Sequence, residues 1–408
     1  MRTGLILVFS LAAFAVVSQN TNVTFNAKVT FTGQKLANIW GYASGGQEYA
    51  LVGGRNGMII VDVTDPNNPA QIVQIPGVAS DWREIRTYSH YAYIVSEGAN
   101  SKIQIVDLND LPDPNPDYHT VDGGSGITKG HALHIDEVKG YLYIYGSNLN
   151  GGRAQIYNLN NDPYNPSYVG FVNFIGYVHD GYVNNDKMYA AHIYTGQVAI
   201  VNLTNKTNPT LLGTFNTPNN FPHNTWLTGN TLLTTDEVSN SYLTSYDVTN
   251  PSNITELDRI QLTPGSGSIV HNTHILDNYA VTSWYKDGFA IVDVSRPANM
   301  VVVGKYDTYP DGSGNGFEGC WGVYPYLPSG TILASNIRAI NTNNGELWVL
   351  TPTYVRGCYL EGAVTDATNG NPLPGANVQI LTTSTSGVTN ASGLYKIGQL
   401  QSGTFTAR

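Results

Sequence analysis

Seven near-copies of one short phrase run along this chain. Ile60-Val61-Asp62-Val63 returns as Ile105-Val106-Asp107-Leu108, Ile156-Tyr157-Asn158-Leu159 and Ile200-Val201-Asn202-Leu203. It returns again as Ser245-Tyr246-Asp247-Val248 and Ile291-Val292-Asp293-Val294, and in degraded form as Leu347-Trp348-Val349-Leu350. From Asp62 to Asp293 the Asp/Asn position advances by 44 to 46 residues per copy, with one step of 51 between Asp107 and Asn158. A period of this size belongs to units that cannot bury a core alone and must stack on their neighbours. The content of the period decides between propeller blades and helical pairs.

That content is strand. Runs of Val, Ile, Tyr and Thr are broken by Asn, Gly, Pro and Asp, and no apolar spacing suits a helix. In the second unit, strands are predicted from Trp82 to Tyr88, Tyr91 to Ser96, Lys102 to Leu108 and Asp117 to Val121. Four strands in each of seven units predict an all-β fold, a seven-bladed β-propeller. The seventh unit lacks a fourth strand, while a spare one, Val23 to Thr32, sits at the other end of the chain. The economical expectation is that this segment pairs beside Gly345 to Leu350 and closes the ring.

Arg2, the apolar run Leu5 to Val17 and the small residues before Gln19 predict an export signal over residues 1–18. The run is too short for a comfortable membrane span and no second one follows, so no transmembrane segment is expected after cleavage. This leads to a secreted or cell-surface location. The net charge of −10 argues against nucleic acid as a partner. Only 12% of residues are charged, and Tyr (27) and Trp (6) are plentiful, which suits stacking of an extracellular protein, peptide or glycan on a propeller face. A monomer is expected.

Residues 19–356 form the expected propeller, and past Arg356 the texture changes. Pro372-Leu373-Pro374-Gly375-Ala376 and Asn390-Ala391-Ser392-Gly393-Leu394-Tyr395 resemble the carboxypeptidase regulatory-like module, a small β-sandwich, over residues 357–408. The match stops inside what should be the next strand. The sequence therefore predicts a truncated module, with any anchor or sorting segment lying beyond it. The central phrase itself resembles the LVIVD repeat. With Ile39-Trp40-Gly41-Tyr42 and Gly319-Cys320-Trp321-Gly322-Val323-Tyr324-Pro325, residues 23–356 resemble choice-of-anchor B proteins. That resemblance implies a secreted or surface-displayed bacterial propeller with interchangeable C-terminal attachment, and no established activity.

Aligning the seven first strands gives one unusual column: Trp40, Trp82, His131, His179, His223, His271 and Trp321. First strands line the central channel of a propeller, so these side chains are expected to converge on one axis as a ligand-binding site. Asp180 follows His179 and could orient an imidazole. Glu97, Asn148, His192, Asp236, Glu237 and Asn336, near the ends of second strands, form a possible further polar layer. Neutral imidazole is a common ligand for transition metals, which makes His131, His179, His223 and His271 candidate metal ligands. A His/carboxylate pair could also run acid–base chemistry in a propeller enzyme. Against both stands a structural reading, in which repeated His residues bridge blades by bonding backbone carbonyls. His134 and His274, three residues on, read as turn or packing residues. Cys320 and Cys358, flanking the last blade, are a candidate disulfide.

Overall fold

A computed structural model describes residues 20–383 and 385–408; the expected export signal lies outside them. Seven four-stranded antiparallel sheets are strung along the chain. Blades one to six take consecutive strands, as in Leu36–Ser44, Gln47–Gly54, Gly57–Asp62 and Ala70–Pro76 of blade one. Among the described residues the only helical element is a short 3₁₀ turn at Asn150–Gly152, and no helix is long and apolar enough to cross a membrane.

The repeated phrase is the third strand of each blade. Its apolar residues are buried between neighbouring sheets; Ile60, Ile105, Ile156, Ile200 and Ile291 are all fully buried. Its Asp or Asn has a separate task. In six blades that side chain's Oδ1 accepts the backbone N–H two residues on, at 2.9 Å each time, from Thr64, Asn109, Asn160, Thr204, Thr249 and Ser295. This Asx turn starts the loop to the fourth strand. An amide oxygen accepts as well as a carboxylate does, so Asp and Asn interchange.

The seventh copy has Val349-Leu350 instead, because its chain makes no such turn. The strand runs on as Gly345–Pro352 and pairs with the N-terminal Val23–Phe31, from Val23 opposite Pro352 to Phe31 opposite Gly345. Lys28 is ion-paired with Glu346 across this seam at 2.6 Å. The preceding residues reach blade six, with Thr21 paired to Lys305 and the Asn22 amide donating to the Val303 carbonyl. The ring is closed as its sequence predicts.

The C-terminal part forms two small sheets, Cys358–Ala363 with Leu394–Gln399 and Asn377–Gln379 with Ser386–Val388. A free-standing module with few propeller contacts is expected from sequence, yet this one is docked across blades five and six. Glu361 accepts from Arg296 (2.8 Å) and Asn299 (2.9 Å), and Lys396 pairs with Asp258 (3.3 Å) and donates to the carbonyls of Leu257 and Ala298. Asp293 receives the Gly357 amide at 2.7 Å on the oxygen its Asx turn leaves free. Gly398 permits the approach, since a Cβ there would lie 2.3 Å from a Val301 methyl.

Cys320 and Cys358 are both free thiols, which corrects the disulfide expectation. Alternate strands of an antiparallel sheet run the same way, so the start of a first strand and the end of a third lie at diagonal corners of one blade. Cys320 is sealed at one corner, and Cys358 has already left the other for the flank of blade six. The melting temperature should accordingly be indifferent to reductant. A maleimide should label Cys358 in the native chain and reach Cys320 only after denaturation; a reductant-dependent melt would contradict this arrangement.

Candidate functional site

The first strands start at one mouth of the axial channel, here called the entry mouth, and finish at the exit mouth. Polar side chains project at both ends, with a belt between them.

At the entry mouth the four histidines converge. Ring centroids are 4.2 Å apart for His131–His179, 4.4 Å for His179–His223 and 4.2 Å for His223–His271. The arc continues through His271–Trp321 at 4.6 Å to the stacked pair Trp82–Trp321 at 6.3 Å. Two carboxylates from the loops after second strands meet this arc. Glu97 contacts His131 Nδ1 at 2.6 Å, and that hydrogen bond holds the Glu97 carboxyl below its usual range. Glu237 faces His223 Nε2 at 3.7 Å and His271 Nε2 at 3.6 Å, and accepts a hydrogen bond from the Tyr285 hydroxyl. Burial pushes the Glu237 carboxyl up to about 7. Burial also keeps His179 and His223 neutral, far below the ordinary imidazole value, and brings His271 down to about 3.

The other members of the expected polar layer cap loops. Asp236 takes the Thr217 hydroxyl and the amides of Asn219 and Phe221. His192 bonds the Tyr177 carbonyl, Asn148 takes the amides of Thr128 and Lys129, and Asn336 bonds Thr308 and Glu346.

Asp180 does not face the imidazoles. It lies in the mid-channel belt, accepting from Asn224 Nδ2 at 2.7 Å and from the Gly181 amide. Asn38 bonds Glu84 at 2.8 Å in the same belt, and Glu84 is ion-paired with Arg86. Burial raises the Glu84 carboxyl to about 7.

Trp40 is at the wrong end for the predicted column. It sits at the exit mouth, 4.8 Å from Tyr324 and 5.8 Å from His274, with the Arg86 guanidinium 4.2 Å over its ring. The first strand of blade one carries a bulge between Leu36 and Ile39, and Ala37 packs with Trp321 and Trp82 at the entry mouth. His134 and His274 are strand residues, not turn residues, and belong to the exit mouth too.

The exit mouth is an aromatic basket that the sequence reading overlooked. Trp226 is its hub, with ring centroids 4.7 Å from Tyr182, 4.5 Å from His274, 6.0 Å from His134 and 6.2 Å from Tyr326. Trp226, Tyr182, His134 and Tyr326, with Trp40, Tyr324 and Arg86, line a cavity of about 630 Å³ rimmed by Ser89, Asp136, Glu137 and Asn184, and His274 packs behind Trp40 and Trp226. Tyr324 lies flush against blade one because residue 41 is glycine; a Cβ there would be 2.1 Å from its ring. The available signal was an aromatic residue or His three positions after five of the entry-mouth residues: His134, Tyr182, Trp226, His274 and Tyr324.

Comparison with known families finds LVIVD repeats at residues 43–74 and 269–308 and a CarboxypepD_reg-like domain at 360–408. No curated protein matches the chain. Among solved structures, the crystal structure of the WD40 β-propeller domain of Doa1 is similar with a TM-score of 0.54. It is 12% identical over 80% of this chain and 97% of that one, a likeness of fold alone.

Proposed function

We propose that this propeller is an extracellular recognition module whose ligand enters the exit mouth, with the C-terminal module serving attachment. The carrying observation is the basket around Trp226: a concave site of ligand size with aromatic walls and a polar rim. Binding sites commonly combine apolar lining with a few fixed polar groups. A sugar ring fits this chemistry, since it has flat C–H faces for the rings of Trp40, Trp226 and Tyr182 and hydroxyls for Ser89, Asp136, Glu137 and Asn184. The LVIVD repeats and the regulatory-like module support an extracellular setting. An enzyme built on the entry-mouth histidines is less well supported. The cavity of about 630 Å³ opens among the exit-mouth rings, and its lining includes none of His131, His179, His223 and His271.

The test is a glycan array and a peptide array probed with the full chain, followed by calorimetry on the best hit. Trp226→Ala should weaken that hit by about thirtyfold, roughly 2 kcal/mol, as truncation of a central aromatic anchor does. Tyr118→Ala, on an exposed outer strand, should not change it. Equal affinity of wild type and the Trp226 variant would remove the basket from recognition. A peptide hit that the Trp226 variant loses would keep the site and replace the sugar.

A further inference from the structure

The geometry around Glu237 points to a second site, independent of the basket: we propose that His223, His271 and Glu237, joined by His179, hold one divalent transition metal of the zinc class at the entry mouth.

The argument begins with His271. Its Nδ1 lies within hydrogen-bonding distance of the Trp321 carbonyl, a group that can only accept, so Nδ1 carries the proton. A neutral imidazole then presents a lone pair at Nε2, and that atom faces a Glu237 oxygen at 3.6 Å. The other Glu237 oxygen stands 3.7 Å from His223 Nε2. Both gaps are too long for hydrogen bonds. They match the separation of two ligands on one zinc ion, about 3.3–3.6 Å for bonds of about 2.0–2.1 Å at open tetrahedral angles. The Nε2 lone pair of His271 and a Glu237 oxygen face one another across such a gap, which a bound cation would bridge.

The surroundings have the form that supports metal ligands. The Nδ1–H of His271 to a backbone carbonyl fixes that ring's tautomer, and the Tyr285 hydroxyl orients the carboxylate. The Nδ1 of His179, a buried polar atom at the site, remains without a protein partner. Such groups are costly unless something binds them. His179, His223 and Glu237 offer ligand atoms that all lie within 4.8 Å of one another, and His271 adjoins this group through Glu237 at 3.6 Å, so the four must draw in by roughly 1 Å to share one ion. Three imidazoles and a carboxylate suit zinc, copper or nickel, while calcium and magnesium require oxygen ligands. His131 is held by Glu97 and stays outside the set. Because the ligands come from blades four, five and six, the ion would tie three adjacent blades at the axis.

The experiment uses the full chain without a histidine tag, stripped by chelator and dialysed against zinc. Elemental analysis should return one zinc per chain, and the melting temperature should rise on loading and fall on chelation. Cobalt in place of zinc should give the visible absorption of a tetrahedral N/O site. The near-isosteric Glu237→Gln should lower occupancy at least tenfold with the circular dichroism unchanged, and Glu97→Gln should leave occupancy at one. The proposal is overturned if folded wild type takes up no stoichiometric zinc, copper or nickel. It is equally overturned if Glu237→Gln binds as wild type does. Neither result bears on sugar or peptide binding at the opposite mouth.

Discussion

Deleting residues 20–32 should lower the melting temperature by about 10 °C or more. The segment supplies eight paired positions along Gly345–Pro352 and reaches over to Lys305 and Val303 of blade six. Interstrand hydrogen bonds contribute about 1 kcal/mol each net, and unpaired buried groups cost more, so the loss is on the order of 5 kcal/mol. The remaining edge strand is almost wholly buried up to Leu350, and without its partner it offers an apolar template to other chains. A synthetic peptide of residues 20–32 should restore most of the lost stability in trans, as strand addition does elsewhere. A truncated chain that melts with the full one would show that blade seven closes without its fourth strand.

The second large effect is acid unfolding that steepens below pH 4.5. Burial brings His134 down to about 3 and His192 to about 4, and keeps His274 far below its ordinary value. His134 lies among Arg86, Tyr182, Trp226 and the Val183 carbonyl. His274 lies among Arg86, Trp40, Trp226 and Tyr326, and His192 near Arg153 and the Tyr177 carbonyl. Each titrates near 6.5 once unfolded, so its contribution is complete above 6.5 and is lost as pH falls toward the folded value.

Glu84 works in the opposite sense. Raised to about 7 by burial, it contributes fully below its unfolded value of 4.5 and loses that contribution as pH rises through 7. Between pH 4.5 and 6.5 the two effects oppose each other. Below 4.5 Glu84 no longer opposes them, and these three imidazoles contribute about 4 kcal/mol per pH unit to the slope, with His179, His223 and His271 acting in the same sense, until the first folded groups protonate. The urea midpoint, followed from pH 7 to 3.5, should fall and should steepen below 4.5. His192→Gln should reduce that slope by about 1.4 kcal/mol per pH unit. A midpoint that is flat to pH 4 would mean these imidazoles are not buried neutral.

Blade number, strand order and ring closure were legible because the repeat states each of them locally: an apolar third strand, an Asx turn, and one copy without that turn. The histidine arc was legible for the same reason, since His131, His179, His223 and His271 hold equivalent register positions. Trp40 was misplaced because sequence alone does not show the bulge that lets Ala37 take the entry-mouth position. The basket escaped notice through a rule applied too strictly. Side chains alternate with a period of two, so residues three apart should point to opposite faces of a sheet. In the innermost strand both directions reach the axis, at opposite mouths, and His131 and His134 are such a pair. Glu237 was visible as a polar residue near a strand end, but its place between two imidazoles depends on the path of a loop. Docking of the C-terminal module rests on Lys396 meeting Asp258 of blade five and Glu361 meeting Arg296 of blade six, and no local pattern announces that.

The seam between Val23–Phe31 and Gly345–Pro352 also sets an order in time. These partners lie more than 310 residues apart along the chain, the most distant pairing among the sheets. Closing so long a loop gains nothing until both ends exist, so the first strand to be synthesised is the last to find its place. Throughout that interval it is an unpaired β-segment. Its sequence is fitted to the wait: Thr24, Asn26, Lys28 and Thr30 alternate along it, and polar and charged side chains deter pairing with the wrong neighbour. Replacing them with Val or Ile would strengthen the strand and expose every nascent chain to its neighbours before its own partner has been made.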